Sequence, residues 1–318
     1  MMNLSEAFDI FIDSREAYCA DPTISNYKNT IRYFVDFLSN HKNRSMDEID
    51  VDEITLDDLN KYSIFLKNKV KNEGHPFYPV NTEKLISSRT RKTYLKDMKT
   101  FVKFLFDEEH MKENITKRFR MPRSVGKVIE PLTVDEVKLI DENYSSNKQF
   151  GIRNLAIIHL LLDEGLRSGE VRRLKLDDIN FSENYIVIRQ TKGMKNRVLP
   201  LTAVCKKYLL EYIQFKRPEV THKYVFCNLD HSPLTKEALK TLFDRLKKST
   251  GISRIYPHLL RHTFGTSFIL GGGSLEILRH YMGHSDIATT ENYLHIANNY
   301  RFCENIYRLD PVFKKEFY

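Results

Sequence analysis

Between Pro257 and Ile296 the chain reads PHLLRHTFGTSFILGGGSLEILRHYMGHSDIATTENYLHI and carries His258, Arg261, His262, His284 and Tyr293 close together. Protonated donors, bases and a phenol gathered in this way suit a single anionic group, and phosphate is the obvious candidate. A second chemistry competes on spacing. The pattern H-x-x-x-H occurs at His258/His262 and again at His280/His284, which is zinc-ligand spacing. Neither copy has a Glu directly after its first His, so the metalloprotease form fails.

These residues act together only if the elements around them bring them to one place. His258 and Arg261 stand three apart, which puts them on one face of a helix. Gly271, Gly272 and Gly273 end that helix, Ser274 caps the next, and Gly283 closes it. His284 then falls in a turn, and a short helical stretch bears Tyr293.

Upstream, the chain is expected to be mainly α with a small β-sheet, in two domains; its 318 residues and 41% hydrophobic content allow two real cores. Residues 1–115 read as an all-helical unit. One helix starts at Ser25 or Asn26 and buries Ile31, Phe34, Val35 and Leu38. A second, capped by Thr55 and Asp58, buries Leu59, Tyr62, Leu66 and Val70, and Gly74, Pro76 and Pro79 end it. A third begins at Ser88 with an apolar stripe of Tyr94, Met98, Phe101, Val102 and Leu105. Its other faces carry Arg89, Arg91, Lys92, Lys96, Lys99 and Lys103.

Residues 116–131 lose periodicity and read as a basic interdomain linker with Arg118, Arg120 and Arg123. Residues 132–318 form the second domain, opened by a capping box at Thr133 and Glu136. An apolar helix over Leu155–Leu162 runs to a stop at Gly165, with Arg167 in the following turn and Ser168 as the next N-cap. Tyr185–Gln190 and Arg197–Leu201 make a hairpin whose connection contains Lys192. Tyr224–Cys227 offers a third strand, and Thr235 starts a helix that ends before Gly251. Residues 298–318 make a terminal helix with an aromatic end.

The formal charge of +8 favours a polyanionic partner, and its distribution says more. From Arg89 to Lys127 there are 12 Lys or Arg against 5 Asp or Glu, so this one strip carries nearly the whole excess. A charge run on a helix is commonly just a solvated face; phosphate contact is the competing reading. Cys19, Cys205, Cys227 and Cys303 match no disulfide framework and read as reduced thiols. The first residues lack the basic start and apolar run of a signal peptide, and the expectation is a cytoplasmic protein with no membrane span.

The run His258-Leu-Leu-Arg261-His262, then Gly283-His284, then Tyr293 nine residues on, resembles the signature of tyrosine recombinases of the lambda integrase and Xer type. Gly165-Leu-Arg167-x-x-Glu170 is similar to the box holding that family's first arginine. The spelling K-G-x-K-x-R-x-x-P from Lys192 to Pro200 is similar to its β-hairpin. The resemblance implies a helical core-binding domain followed by a catalytic domain. It implies Tyr293 as nucleophile, Arg167 and Arg261 as phosphate clamps, Lys192 as general acid, His258 as base or relay, and His284 as a donor to the phosphate.

Glu170 would orient that shell, and His262 would give support only. The resemblance further implies double-stranded DNA sites as partners, bound through Arg89, Arg91, Lys92, Lys96, Lys99, Arg118, Arg120 and Arg123. It implies a homotetramer on DNA, C-terminal helix exchange between subunits, accessory DNA-bending proteins in some systems, and no metal or nucleotide cofactor. Three alternatives stay open on sequence. A type IB topoisomerase shares the tyrosine chemistry, a DNA-binding regulator could keep the fold without cleavage, and a zinc protein would use the histidine pairs.

Overall fold

The computed structural model describes residues 2–71, 81–123, 129–145, 151–189, 196–284, 287, 290, 291, 293 and 294. Contacts divide the chain into a unit over 1–126 and a unit over 127–318.

In the first unit, α1 (Leu4–Glu16) starts at a capping box between Asn3 and Glu6. Helix α2 (Asp21–Lys42) has Pro22 in its first turn, where a missing N–H costs nothing, so it begins ahead of the expected Ser25 or Asn26. Helix α3 (Leu56–Asn68) opens on the Thr55–Asp58 box, and α4 (Ser88–Asp107) on Ser87, whose hydroxyl accepts from the Thr90 amide. Between them β1 (Val70–Lys71) pairs antiparallel with β2 (Asn81–Leu85), so the unit is not all helical. Gly74, Pro76 and Pro79 lie outside the described residues.

Phe11 anchors this core through edge-on contacts to Tyr27, Phe101 and Phe104 at 5.3–5.4 Å. Asp97 of α4 is buried against α2, where Asn26 and Thr30 donate to it at 2.8 and 2.9 Å. Thr116 and Phe119, in the stretch read as linker, are buried, and Phe119 belongs to this unit's hydrophobic core. Arg89, Lys92, Lys96 and Lys103 stand exposed on α4, while Arg91 and Lys99 are half-buried.

The second unit is built around α6 (Gly151–Leu162), which is buried almost all round and packs on α5 (Val134–Ser145), α8 (Ala203–Phe215) and α10 (Pro257–Leu270). Each fully buried aliphatic of α6 is worth about 1.5–3 kcal/mol of transfer free energy. Two polar residues sit among them, Asn154 and His159. His159, 3% exposed, is held between Asp163 (2.7 Å) and Asp141 (3.1 Å) and stacks on Tyr208. Burial opposes its charge, but the two carboxylates win and lift its pKa to about 9.

Helix α7 (Ser168–Arg173) is N-capped by Arg167 rather than by Ser168. Strands β3 (Ile179–Asn180), β4 (Tyr185–Ile188) and β5 (Arg197–Pro200) form one antiparallel sheet in the order β3-β4-β5. The expected strand at Tyr224–Cys227 is only two isolated bridges, Lys175 with Tyr224 and Cys227 with Pro233. Helices α9 (Lys236–Thr250) and α11 (Leu275–Met282) start at Thr235 and Ser274. Residues 290, 291, 293 and 294 are helical. The expected terminal helix at 298–318 and Cys303 lie outside the described residues, and Cys205 and Cys227 are buried free thiols. Among the described residues no helix is long and apolar enough to cross a membrane.

Candidate active site

The end of α11 supplies the scaffold. The last carbonyls of a helix have no intrahelical donor, and they form the negative end of its dipole. Here three successive ones are met by three arginines from distant elements. Arg197 of β5 donates from Nε to the Tyr281 carbonyl at 2.8 Å, Arg261 of α10 from Nη2 to Met282 at 2.6 Å, and Arg167 from Nη2 to Gly283 at 2.6 Å. Gly283 itself is left-handed (φ 58°), which lets the chain turn into His284 immediately after the helix.

Glu170 ties two of these arginines together. Its Oε2 accepts from the Arg167 amide at 2.7 Å, closing the first turn of α7, and its Oε1 accepts from Arg167 Nη1 at 3.1 Å. Arg197 approaches the same carboxylate as a fork, Nη1 to Oε1 at 2.9 Å and Nη2 to Oε2 at 2.8 Å. Burial pushes the Glu170 carboxyl up, but the bonds and charge of Arg197, then those of Arg167, hold it below its usual range.

Arg261 is 1% exposed and also bonds the Gly165 carbonyl, while its Nε is buried without a hydrogen-bond partner among the described residues. Burial, then repulsion from Arg167, brings its pKa down to about 9, so it stays charged at neutral pH. Its Nη2 also lies 3.0 Å from His284 Nε2. An arginine has only donors, so Nε2 accepts and the ring proton sits on Nδ1, facing Thr290 Oγ1 at 2.9 Å. Burial, then the charges of Arg261 and Arg167, depress the His284 pKa to about 4.

Tyr293 is 7% exposed and lies between two imidazoles, parallel to His284 at 6.3 Å and tilted on His262 at 5.1 Å. Its ring lies directly against α10 at Gly265, where a Cβ would come within 2.8 Å of Tyr293 Cε1. Burial raises its pKa, and Arg261 and Arg167 pull the other way. The phenol therefore stands within the field of both arginines.

Of the residues expected to act, Arg167, Arg261, His284 and Tyr293 are gathered in this cluster. His258 is exposed on the first turn of α10 and contributes to lowering the His284 pKa, so it is near. Although His258 and Arg261 share a helix, one faces solvent and the other the core. His262 binds the Ile129 carbonyl at 2.8 Å. Lys192 lies outside the described residues. Arg118, exposed in the first unit, pairs with Glu113 at 2.8 Å, and Arg120 and Arg123 are also exposed. Sequence reasoning missed Arg197, Thr290 and Gly265. Arg197 was visible as a letter of the hairpin pattern, and Gly265 as a glycine inside a helix.

The arrangement is a fixed positive socket with a phenol at its edge, suited to charge developing on a phosphorus centre. Comparison with known proteins gives the family. The family model described as phage integrase family matches residues 130–299, and the phage integrase SAM-like domain matches residues 3–121. The chain is 27% identical over 305 residues to the tyrosine recombinase XerD of Listeria monocytogenes serotype 4b (strain F2365), covering 93% of this chain and 95% of the relative. It is 30% identical over 225 residues to the tyrosine recombinase XerC of Bacillus pumilus (strain SAFR-032), covering 68% and 73%. In fold it is similar to the Tn1549 transposon integrase in complex with circular intermediate DNA, with TM-score 0.71, 19% identity and coverage of 92% and 95%. A family model that spans more than half of the chain, joined to a relative at this identity, decides the matter: the chain belongs to the phage integrase family, as a tyrosine-type site-specific DNA recombinase.

Proposed function

We propose that Tyr293 attacks the scissile phosphate of a double-stranded recombination site. Its phenolic oxygen bonds to phosphorus as the bond to the 5′ oxygen breaks, leaving a 3′-phosphotyrosyl link and a free 5′ hydroxyl. The phenol proton, held more tightly than usual because the ring is buried, passes to His258, and Lys192 gives a proton to the departing oxygen. Arg167 and Arg261 bind the non-bridging oxygens, with Glu170 orienting Arg167. Once the incoming negative charge raises its low pKa, His284 takes a proton from solvent at Nε2, gives up the bond from Arg261 Nη2 and donates to the phosphate. The phosphotyrosine keeps the bond's free energy, so this chemistry calls for neither metal nor nucleotide. The observation that carries the reading is the seat of Tyr293 against His284, in the field of Arg261 and Arg167.

On this reading residues 1–115 are a core-binding domain and 116–131 a basic linker ahead of a catalytic domain over 132–318. Arg89, Arg91, Lys92, Lys96, Lys99, Arg118, Arg120 and Arg123 contact DNA phosphates. The solved Tn1549 integrase in its DNA complex supports DNA as the partner. Four copies exchange strands in two rounds on two sites, in the cytoplasm at the nucleoid, with accessory DNA-bending proteins in attendance. Exchanged C-terminal helices link the copies, so a chain ending at Asn299 is expected to cleave but not to recombine; normal recombination by it removes that link. The test of the core reading is an SDS-stable adduct on nicked duplexes from DNA flanking the gene. Wild type should form the adduct and Tyr293→Phe should not, and an adduct with the variant would show that another tyrosine attacks.

A further inference from the structure

An ionised carboxylate offers about four acceptor positions, and Glu170 has all of them filled. Two face Arg167, through its amide at 2.7 Å and Nη1 at 3.1 Å, and two face the Arg197 fork at 2.9 and 2.8 Å. The two arginines differ in setting: the Arg197 side chain is 2% exposed and that of Arg167 36%. Arg197 is answered wholly within the protein, by Glu170 and the Tyr281 carbonyl. Arg167 faces outward and keeps one long side-chain contact to the shared carboxylate, with Nη2 on a neutral carbonyl.

We infer that Arg197 is a positioning residue for strand cleavage. By forking Glu170 it keeps that carboxylate from closing on Arg167, and so keeps the Arg167 guanidinium turned toward the phosphate. The inference rests on the reading of Arg167 as a phosphate clamp. Without the fork, two acceptor positions open beside Arg167. A buried carboxylate whose charge is unanswered draws the nearest cation, so Arg167 Nη2 leaves the Gly283 carbonyl for Glu170. The phosphate must then compete with a carboxylate for the same two N–H groups. Lysine at 197 keeps the charge but lacks the planar fork, so it does not hold both oxygens.

The test compares wild type, Arg197→Lys and Arg167→Ala in single-turnover cleavage at saturating DNA. Each is given two substrates, one with an ordinary scissile phosphate and one with a methylphosphonate, whose neutral methyl replaces a non-bridging oxygen. Removing that charge lessens the need for Arg167, so a defect that acts through Arg167 is relieved and a folding defect is not. Arg197→Lys is expected to slow cleavage of the ordinary phosphate by about ten- to a hundredfold. Its DNA affinity and thermal midpoint should stay near wild type, and the methylphosphonate should restore its rate as it restores that of Arg167→Ala. Rescue of Arg167→Ala without rescue of Arg197→Lys overturns the inference, as does a wild-type rate for Arg197→Lys on the ordinary phosphate. Should Arg167→Ala be neither slowed nor rescued, the clamp reading falls and the inference with it. Arg197→Gln, which keeps an amide donor to Glu170, gives the same two readings if the lysine variant does not fold.

Discussion

Gly265 lies in the interior of α10, where alanine would ordinarily stabilise a helix by about 0.5–1 kcal/mol. A Cβ there meets Tyr293 Cε1 at 2.8 Å and Cδ1 at 2.9 Å, so the ring has to move outward. Gly265→Ala is therefore expected to keep or raise the thermal midpoint while slowing adduct formation on the order of ten- to a hundredfold, the effect of misplacing a reacting group by about 1 Å. Equal adduct rates in single-turnover assays would remove this role. The expected members of the cluster, Arg167, Arg261, His284 and Tyr293, were singled out through the resemblance that their intervals carry, and the structure gathers them. Arg197 was not, because its meaning lies in Glu170, 27 residues earlier, and in a carbonyl on another helix. Gly265 matters for an atom it lacks, and only the approach of a ring from a distant segment reveals that.

Among the elements, α6 holds a buried histidine between two carboxylates. The His159 pKa is raised from 6.5 to about 9 by Asp141 and Asp163 against the cost of burial. Its contribution is thus fully present below pH 6.5 and is lost as pH rises through about 9; a shift of this size corresponds to something on the order of 3 kcal/mol. Denaturation midpoints between pH 6 and 10 should show wild type losing its advantage over His159→Gln across that interval. An advantage that stays constant would mean the histidine is not charged in the folded chain. Helices with side-chain caps, at Thr55, Thr133, Thr235 and Ser274, were readable because the cap and the apolar spacing agree. Tyr224–Cys227 has the composition of a strand, but the backbone partners of Val225 and Phe226 are single residues of loops, Leu174 and Leu234. Pairing is decided by neighbours that the run itself does not encode.

For the molecule as a whole, the decisive quantity is where its cations stand. Arg89, Lys92 and Lys96 are exposed on α4 and make no ion pair among the described residues, whereas Lys103 is paired with Asp107. If Lys96 and Lys99 each neutralise a phosphate, replacing both by Ala weakens DNA binding and reduces the slope of log affinity against log salt by about 2. A titration from low to moderate salt measures this, and an unchanged slope would leave α4 a merely solvated face. The opposite arrangement holds at the end of α11, where three arginines are fastened to main-chain oxygens. Oxygen atoms of the backbone are the same whatever residue bears them. The side chains of Tyr281 and Met282 serve the packing, on Phe264 and Phe268 and in the core, while their carbonyls hold Arg197 and Arg261. The fastening of the three arginines is thus a property of the main chain at this helix end rather than of the letters that spell it.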